Sequence, residues 1–174
     1  MVRGILILLV LAAAAVPGHS QERAPIDGAF GYQLGATWQP EAGSAGKREA
    51  DGDFFFVTPP QPFQSFSEYF VAVTPSSGVI FEISGSRQFD SPAGCMAEMG
   101  LVEAKLDAKY SGGIISGTPS LSARRIVYRR YWERQIVLSC NLGLLLIVYL
   151  DPELHGASKS EMAELQKQVD SKGL

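Results

Sequence analysis

Hydrophobic positions along this chain change period several times, and each change predicts an element. From Val79 to Phe89 the side chains alternate: Val79, Phe81 and Ile83 fall on one side, Ile80, Glu82 and Ser84 on the other. A period of two predicts a strand with one face on a core and one toward water. Tyr69 to Thr74, aromatic and β-branched, predicts its hairpin partner. Pro75-Ser76-Ser77-Gly78 joins them, with Gly78 able to take positive φ. Beyond Ser91 the period lengthens. Cys95, Met99, Val102, Leu106 and Tyr110 recur at steps of four, three, four and four, which is one stripe of a helix. Ser91 suits its N-cap, Pro92 its first turn, and Gly112-Gly113 its end.

Residues 113–123 are a Gly/Ser/Pro loop. Arg125 to Trp132 and Gln135 to Cys140 predict two more strands, with Ile136, Leu138 and Cys140 sharing a face. Asn141-Leu142-Gly143 turns the chain into Leu144–Leu150. That run is apolar at every position, as expected of a central strand covered on both sides. Asp151-Pro152 ends it. Ser158 and Glu161 read as a capping box for a last helix carrying Met162, Leu165 and Val169. Upstream, Phe54–Val57 predicts a short strand that the prolines at 59, 60 and 62 terminate. Phe30–Gly35 reads as an edge strand or a docked turn, and Ala36–Gly52 as a loop without apolar period. The expected fold is α+β: an antiparallel sheet of about five to seven strands with two helices packed on one face, in the order βββα-βββα. Gly78 and Gly143 occupy similar places in the two halves. Duplication is one reading, and simple alternation of short elements is the other.

The N-terminus changes the domain count. Met1-Val2-Arg3 is followed by an apolar run, Gly4–Val16, and then by Pro17-Gly18-His19-Ser20. This is the pattern of a signal peptide, residues 1–20, cleaved before Gln21. The run is shorter than the ~20 residues a spanning helix needs. Residues 21–52 then form a polar, Gly-rich N-terminal segment, and 53–174 a single α+β domain. Export places Cys95 and Cys140, the two cysteines of the chain, in an oxidising compartment where they are expected to pair. Closing that loop contributes about 4 kcal/mol in the chain-entropy model.

The formal net charge is −3, which argues against general binding to nucleic acid or anionic membrane. Within this mild acidity lies a dense basic stretch. Arg124, Arg125, Arg129, Arg130 and Arg134 are interleaved with Tyr128, Tyr131 and Trp132. Guanidinium groups clamp carboxylates or phosphates and stack on aromatic rings. Arg124, Arg125, Arg129, Arg130, Tyr131, Trp132 and Arg134 therefore form the candidate binding surface, with exposed strand charge as the plainer alternative. No catalytic signature is present in the sequence, and no cofactor or metal site is expected. His155 reads as a solvated or capping residue in a connecting segment. Asp51-Gly52-Asp53 reads as loop solubility. Glu68 and Glu82 are candidate cross-strand neighbours, as a paired-carboxylate hydrolase would need, with ordinary exposure on a wet sheet face as the plainer reading.

Phe30-Gly31-Tyr32-Gln33-Leu34-Gly35, the Phe/Pro segment, Tyr69–Phe81 and the cysteine-bearing helix ending Lys109-Tyr110 resemble small exported bacterial proteins of uncharacterised function. The resemblance covers about half the mature chain and brings no active residues with it. It implies a periplasmic or secreted location. The leading expectation is a non-enzymatic binding protein whose partner is an envelope protein or an acidic cell-wall glycan. A glycan hydrolase using surface carboxylates and a purely structural envelope protein are the alternatives.

Overall fold

The computed structural model describes residues 24–40, 46–110, 112–120, 122–128 and 133–171. The expected leader, residues 1–20, lies outside the described residues, as do Arg129, Arg130, Tyr131 and Trp132. The described residues form, in chain order, β1 (Gly28–Ala29), β2 (Tyr32–Gln33), β3 (Gly46–Glu49), β4 (Gly52–Phe56), β5 (Glu68–Val73), β6 (Ile80–Gln88), α1 (Pro92–Tyr110), β7 (Ile114–Ile115), β8 (Ala123–Tyr128), β9 (Gln135–Asn141), β10 (Leu144–Leu150) and α2 (Pro152–Ser171). β1 and β2 pair with each other. The other eight build one antiparallel sheet in the order β3-β4-β5-β6-β10-β9-β8-β7. The α+β class and the antiparallel sheet with two helices are as expected. The count of five to seven strands and the order βββα-βββα are corrected to ten strands in two sheets. The extra strands carry no periodic signal. β3 is Gly-Lys-Arg-Glu with every side chain exposed. Pairing with β4 holds it, helped by the Arg48 fork on Asp53, with contacts of 2.6 and 2.7 Å.

α1 follows its sequence pattern closely. Cys95, Met99, Val102, Leu106 and Tyr110 are its buried residues. Ser91 Oγ accepts a hydrogen bond from the Gly94 amide at 3.2 Å, and Gly112 takes φ +66° just past the end. The buried stripe faces β8, β9 and β10, where Ile126, Tyr128, Ile136, Leu138, Leu145 and Ile147 form the opposing layer. Burying each large apolar side chain in this layer contributes roughly 1.5–3 kcal/mol. A disulfide between Cys95 and Cys140 ties α1 to β9.

Two other expectations change. The alternation across Val79–Phe89 breaks at Phe81. Val73 pairs with Ile80 whereas Ala72 pairs with Glu82, so Phe81 is the extra residue of a bulge. Ile80 and Ile83 both enter the main core, and the Phe81 ring meets Phe54 edge-on at 6.1 Å. The second change concerns β10. Leu145, Ile147 and Tyr149 are buried beneath α1, but Leu144 is exposed and Leu146, Val148 and Leu150 are half-buried. Only one face of this strand is fully covered.

α2 begins seven residues earlier than the Ser158–Glu161 signature suggests. Asp151 is its cap, with Oδ1 accepting from the Leu154 amide at 3.1 Å, and Pro152 takes the first helical position. Ser158 is buried mid-helix and donates to the Asp51 carbonyl at 2.6 Å. The Glu161 carboxylate accepts from the Ser76 amide at 2.8 Å and the Ser77 hydroxyl at 2.9 Å, which docks the helix on the β5–β6 turn. Gly52 shares the face of Phe54, and a Cβ at Gly52 would lie 2.8 Å from Ser158 Oγ. α2 therefore packs on the face opposite α1, not beside it as expected. Each half of the sheet is a four-stranded meander followed by a helix, and the halves join at β6–β10. A two-fold axis relating these antiparallel strands would run normal to the sheet and keep both helices on one face. The repeat is thus one of strand order alone.

Candidate ligand-binding cleft

A cleft of about 580 Å³ opens between the β1–β2 hairpin, the loop around Gln61–Phe66 and α1. That volume lies within the range of ordinary ligand pockets. Its floor is Ile147 and Tyr149 of β10, and its helical wall is Val102, Leu106 and Tyr110.

The hairpin wall depends on an unusual backbone. Phe30 sits at φ +56° and Gly31 at +90°, the conformation of a two-residue type I′ turn. Gly31 adopts this freely. A phenylalanine there costs on the order of 1 kcal/mol or more and persists only where its surroundings impose it. Those surroundings are aromatic. The Phe30 ring lies edge-on to Tyr69 at 4.9 Å, Phe66 at 5.8 Å and Tyr149 at 6.0 Å. Space for them comes from Gly85 in the middle of β6. A Cβ at that position would come within 3.1 Å of the Phe66 ring and 3.3 Å of the Phe30 ring. The Tyr69 hydroxyl fixes the neighbouring loop, accepting from the Phe63 amide and donating to the Phe63 carbonyl, both at 2.8 Å.

Polar side chains line this cleft from two sides: Asp27, Tyr32, Gln33 and Gln61 on the hairpin and loop, and Lys105, Lys109, Tyr110 and Tyr149 on α1 and β10. Tyr110 and Tyr149 are 3% and 8% exposed. Among the described residues neither hydroxyl has a hydrogen-bond partner, and neither is sealed from solvent; both side chains line the cleft. Burial, with a smaller push from Tyr110, raises the Tyr149 hydroxyl well above the usual phenol range, so it stays protonated. Lys105 Nζ stands over the Phe63 ring at 4.4 Å and Lys109 Nζ over the Tyr110 ring at 4.8 Å. Both ammonium groups line the mouth.

The residues singled out from sequence lie elsewhere. Arg124 pairs with Glu103 of α1 at 2.9 Å. Arg134 pairs with Asp151 at 2.9 Å and Asp27 at 3.6 Å, and donates to the Leu34 carbonyl at 3.2 Å. These two arginines are engaged in holding elements together. Arg125 is exposed and lines a second hollow, about 560 Å³, with Val137, Leu146 and Val148. Arg129, Arg130, Tyr131 and Trp132 fall outside the described residues. The strand pair therefore splits Arg124, Arg125 and Arg134 among three surroundings.

Glu68 and Glu82 are not cross-strand neighbours, because Glu68 pairs with Ser86 and Glu82 with Ala72. Burial pushes the Glu82 carboxyl up; a hydrogen bond from Ser84 opposes this and nearby Asp51 adds to it. His155 lies within α2, not in a connecting segment. It stacks on Phe81 at 5.2 Å with Nε2 3.4 Å from Asp51 Oδ2. Asp51 thus serves α2, and Asp53 serves Arg48. Phe56 remains 60% exposed, stacked near Phe70 at 4.4 Å, so the proline-rich loop does not cover it. Among the described residues no cluster of three or more His, Cys, Asp or Glu could hold a metal ion, and no helix is long and apolar enough to cross a membrane.

Sequence reading missed the cleft because it is assembled from four separated segments. Two local signals pointed to it: an aromatic-Gly pair at Phe30-Gly31, and Gly85 inside an otherwise regular strand. Comparison with protein-family models, curated proteins and solved structures finds no match for this chain.

Proposed function

We propose that this chain is an exported, non-enzymatic binding protein whose ligand site is the cleft between the β1–β2 hairpin, the Gln61–Phe66 loop and α1. The carrying observation is the cleft itself: a ligand-sized concavity whose aromatic and aliphatic walls are joined by polar groups from the hairpin, α1 and β10. The buried Cys95–Cys140 disulfide supports an oxidising location, periplasmic or secreted. The engagement of Arg124 and Arg134 within the protein shifts the binding surface away from the arginine-bearing strand pair. A hydrolase acting through Glu68 and Glu82 is less well supported, since neither carboxylate lines the cleft.

The test uses a neutral apolar dye, Nile red, with the purified oxidised protein. The expected result is saturable fluorescence enhancement at one site per chain, lost in Ala29→Trp, which places a large ring in the hairpin wall. No enhancement, or full enhancement in Ala29→Trp with circular dichroism unchanged, would overturn the assignment.

A further inference from the structure

The charges of α1 are divided between two sides of the helix. Its acidic residues are turned to the rest of the protein. Glu103 takes Arg124 at 2.9 Å, Asp107 accepts from the Tyr128 hydroxyl at 2.9 Å, and Glu98 accepts from Ser65 at 2.5 Å. Its two lysines have no acidic partner among the described residues. Lys105 and Lys109 make cation–π contacts with Phe63 and Tyr110, at the mouth of the cleft. In a protein of net charge −3 this leaves a local positive rim. One carboxylate, Asp27, also lines the cleft; Arg134 stands 3.6 Å from it but is shared with Asp151 at 2.9 Å, so two lysines face one partly neutralised carboxylate.

Below the rim, the hydroxyls of Tyr110 and Tyr149 are two donors with no acceptor among the described residues, on side chains more than nine-tenths buried but with oxygens open to water. A ligand that displaces that water must supply an acceptor in its place. Protonated phenols donate, and a carboxylate offers two acceptor oxygens to them. Phe30, Phe66, Leu106 and Ile147 form a wall that can take an apolar body, while Gln33 and Gln61 line the hairpin and loop side.

We infer that the cleft binds an apolar monocarboxylate, its carboxylate received by the Tyr110 and Tyr149 hydroxyls under the positive potential of Lys105 and Lys109, and its hydrocarbon body lying against Phe30, Phe66 and Leu106. This rests on the reading of the cleft as the ligand site and names the class of ligand it takes. Neutral and cationic amphiphiles with the same tail match the walls but not the polar end.

The experiment is displacement of Nile red from the oxidised protein by decanoate, decanol and decylamine, each below its micelle concentration. Decanoate is expected to displace the dye at a concentration at least roughly tenfold lower than either analogue, the scale of one charge-assisted hydrogen bond. Tyr110→Phe and Tyr149→Phe should each weaken decanoate several-fold and leave decanol unchanged. The double variant Lys105→Gln/Lys109→Gln should narrow the preference and remove its dependence on salt. If Nile red itself does not bind, the cleft is not the ligand site and the broader reading fails. If Nile red binds and the three headgroups compete equally, the broader reading stands and the monocarboxylate assignment is overturned. Equal weakening of decanol and decanoate in the tyrosine variants would also overturn the assignment, because it would show packing rather than recognition of the headgroup.

Discussion

Reduction of the Cys95–Cys140 bond tests what holds α1 on the sheet. The bond closes a loop with a sequence separation of 45. For a loop of that length the chain-entropy model gives about 4 kcal/mol, arising mainly from constraint on the unfolded chain. Both sulfurs are buried, so a Cys95→Ala/Cys140→Ala variant would lose packing as well as the link. Reduced wild-type protein, acid-quenched only after measurement, keeps the sulfurs in place and isolates the covalent term. Urea denaturation of oxidised and reduced protein should differ by about 4 kcal/mol, with a steeper denaturant dependence when reduced because the unfolded chain then exposes more surface. At the size of this chain the melting temperature should fall by roughly 8–16 °C. The double alanine variant should lose more than the reduced protein by the cost of the emptied space. A difference between oxidised and reduced protein below about 1 kcal/mol would refute the reasoning and place the stability of α1 in its apolar stripe alone.

Two further perturbations probe local features. Burial raises the Glu82 carboxyl pKa in the folded state, so the native protein holds this proton more tightly than the unfolded chain does. Stability therefore falls as pH rises through the carboxyl's titration. Glu82→Gln should be more stable than wild type at neutral pH, with the gap closing in acid; a gap independent of pH, measured by urea denaturation at several pH values, would contradict this. Leu142 is 72% exposed at φ +50° ahead of Gly143, a position of a type I′ turn that asparagine tolerates far better than leucine. Leu142→Asn should raise stability by about 1 kcal/mol in thermal denaturation, and a loss would show that the leucine packs in a way its exposure conceals.

Elements whose side-chain period matches their own burial were legible from sequence. α1 is the clearest case, because its stripe at Cys95, Met99, Val102, Leu106 and Tyr110 depends only on helix geometry and a single flat neighbour. β10 and the positive φ at Gly78 were legible for similarly local reasons. Failures came where a partner decides. The bulge at Phe81 is a mismatch between two strands, invisible in either alone. β3 has no apolar residue to bury and exists through backbone pairing. Ser158 looked like a cap because it has the right side chain, but Asp151 held that place seven residues earlier and Ser158 was drawn into the contact with Asp51. The disulfide was legible because an expected export signal, with a count of two, leaves two cysteines one way to pair. The cleft was not, because Phe30, Phe66, Tyr110 and Tyr149 come from four segments whose proximity only the assembled fold creates.

The sheet order has a kinetic consequence. Within each half, every strand of the sheet pairs with its sequence neighbour, so β3–β6 and β7–β10 can each zip up through short hairpin closures. The seam between β6 and β10 is different: Gln88 meets Leu144 only after α1 and three strands have been placed between them. Loop-closure entropy makes that seam the late and rate-setting step. Slow exchange of the β6 and β10 amides with deuterium would then report opening of the whole molecule, while β3 and β7 at the two rims exchange through fraying. Because Ile147 and Tyr149 lie on β10 while Phe63 and Phe66 belong to the loop between β4 and β5, the cleft is lined from both sides of this seam. Any occupant of the cleft that contacts both sides clamps the two halves together, and so slows unfolding of the chain as a whole.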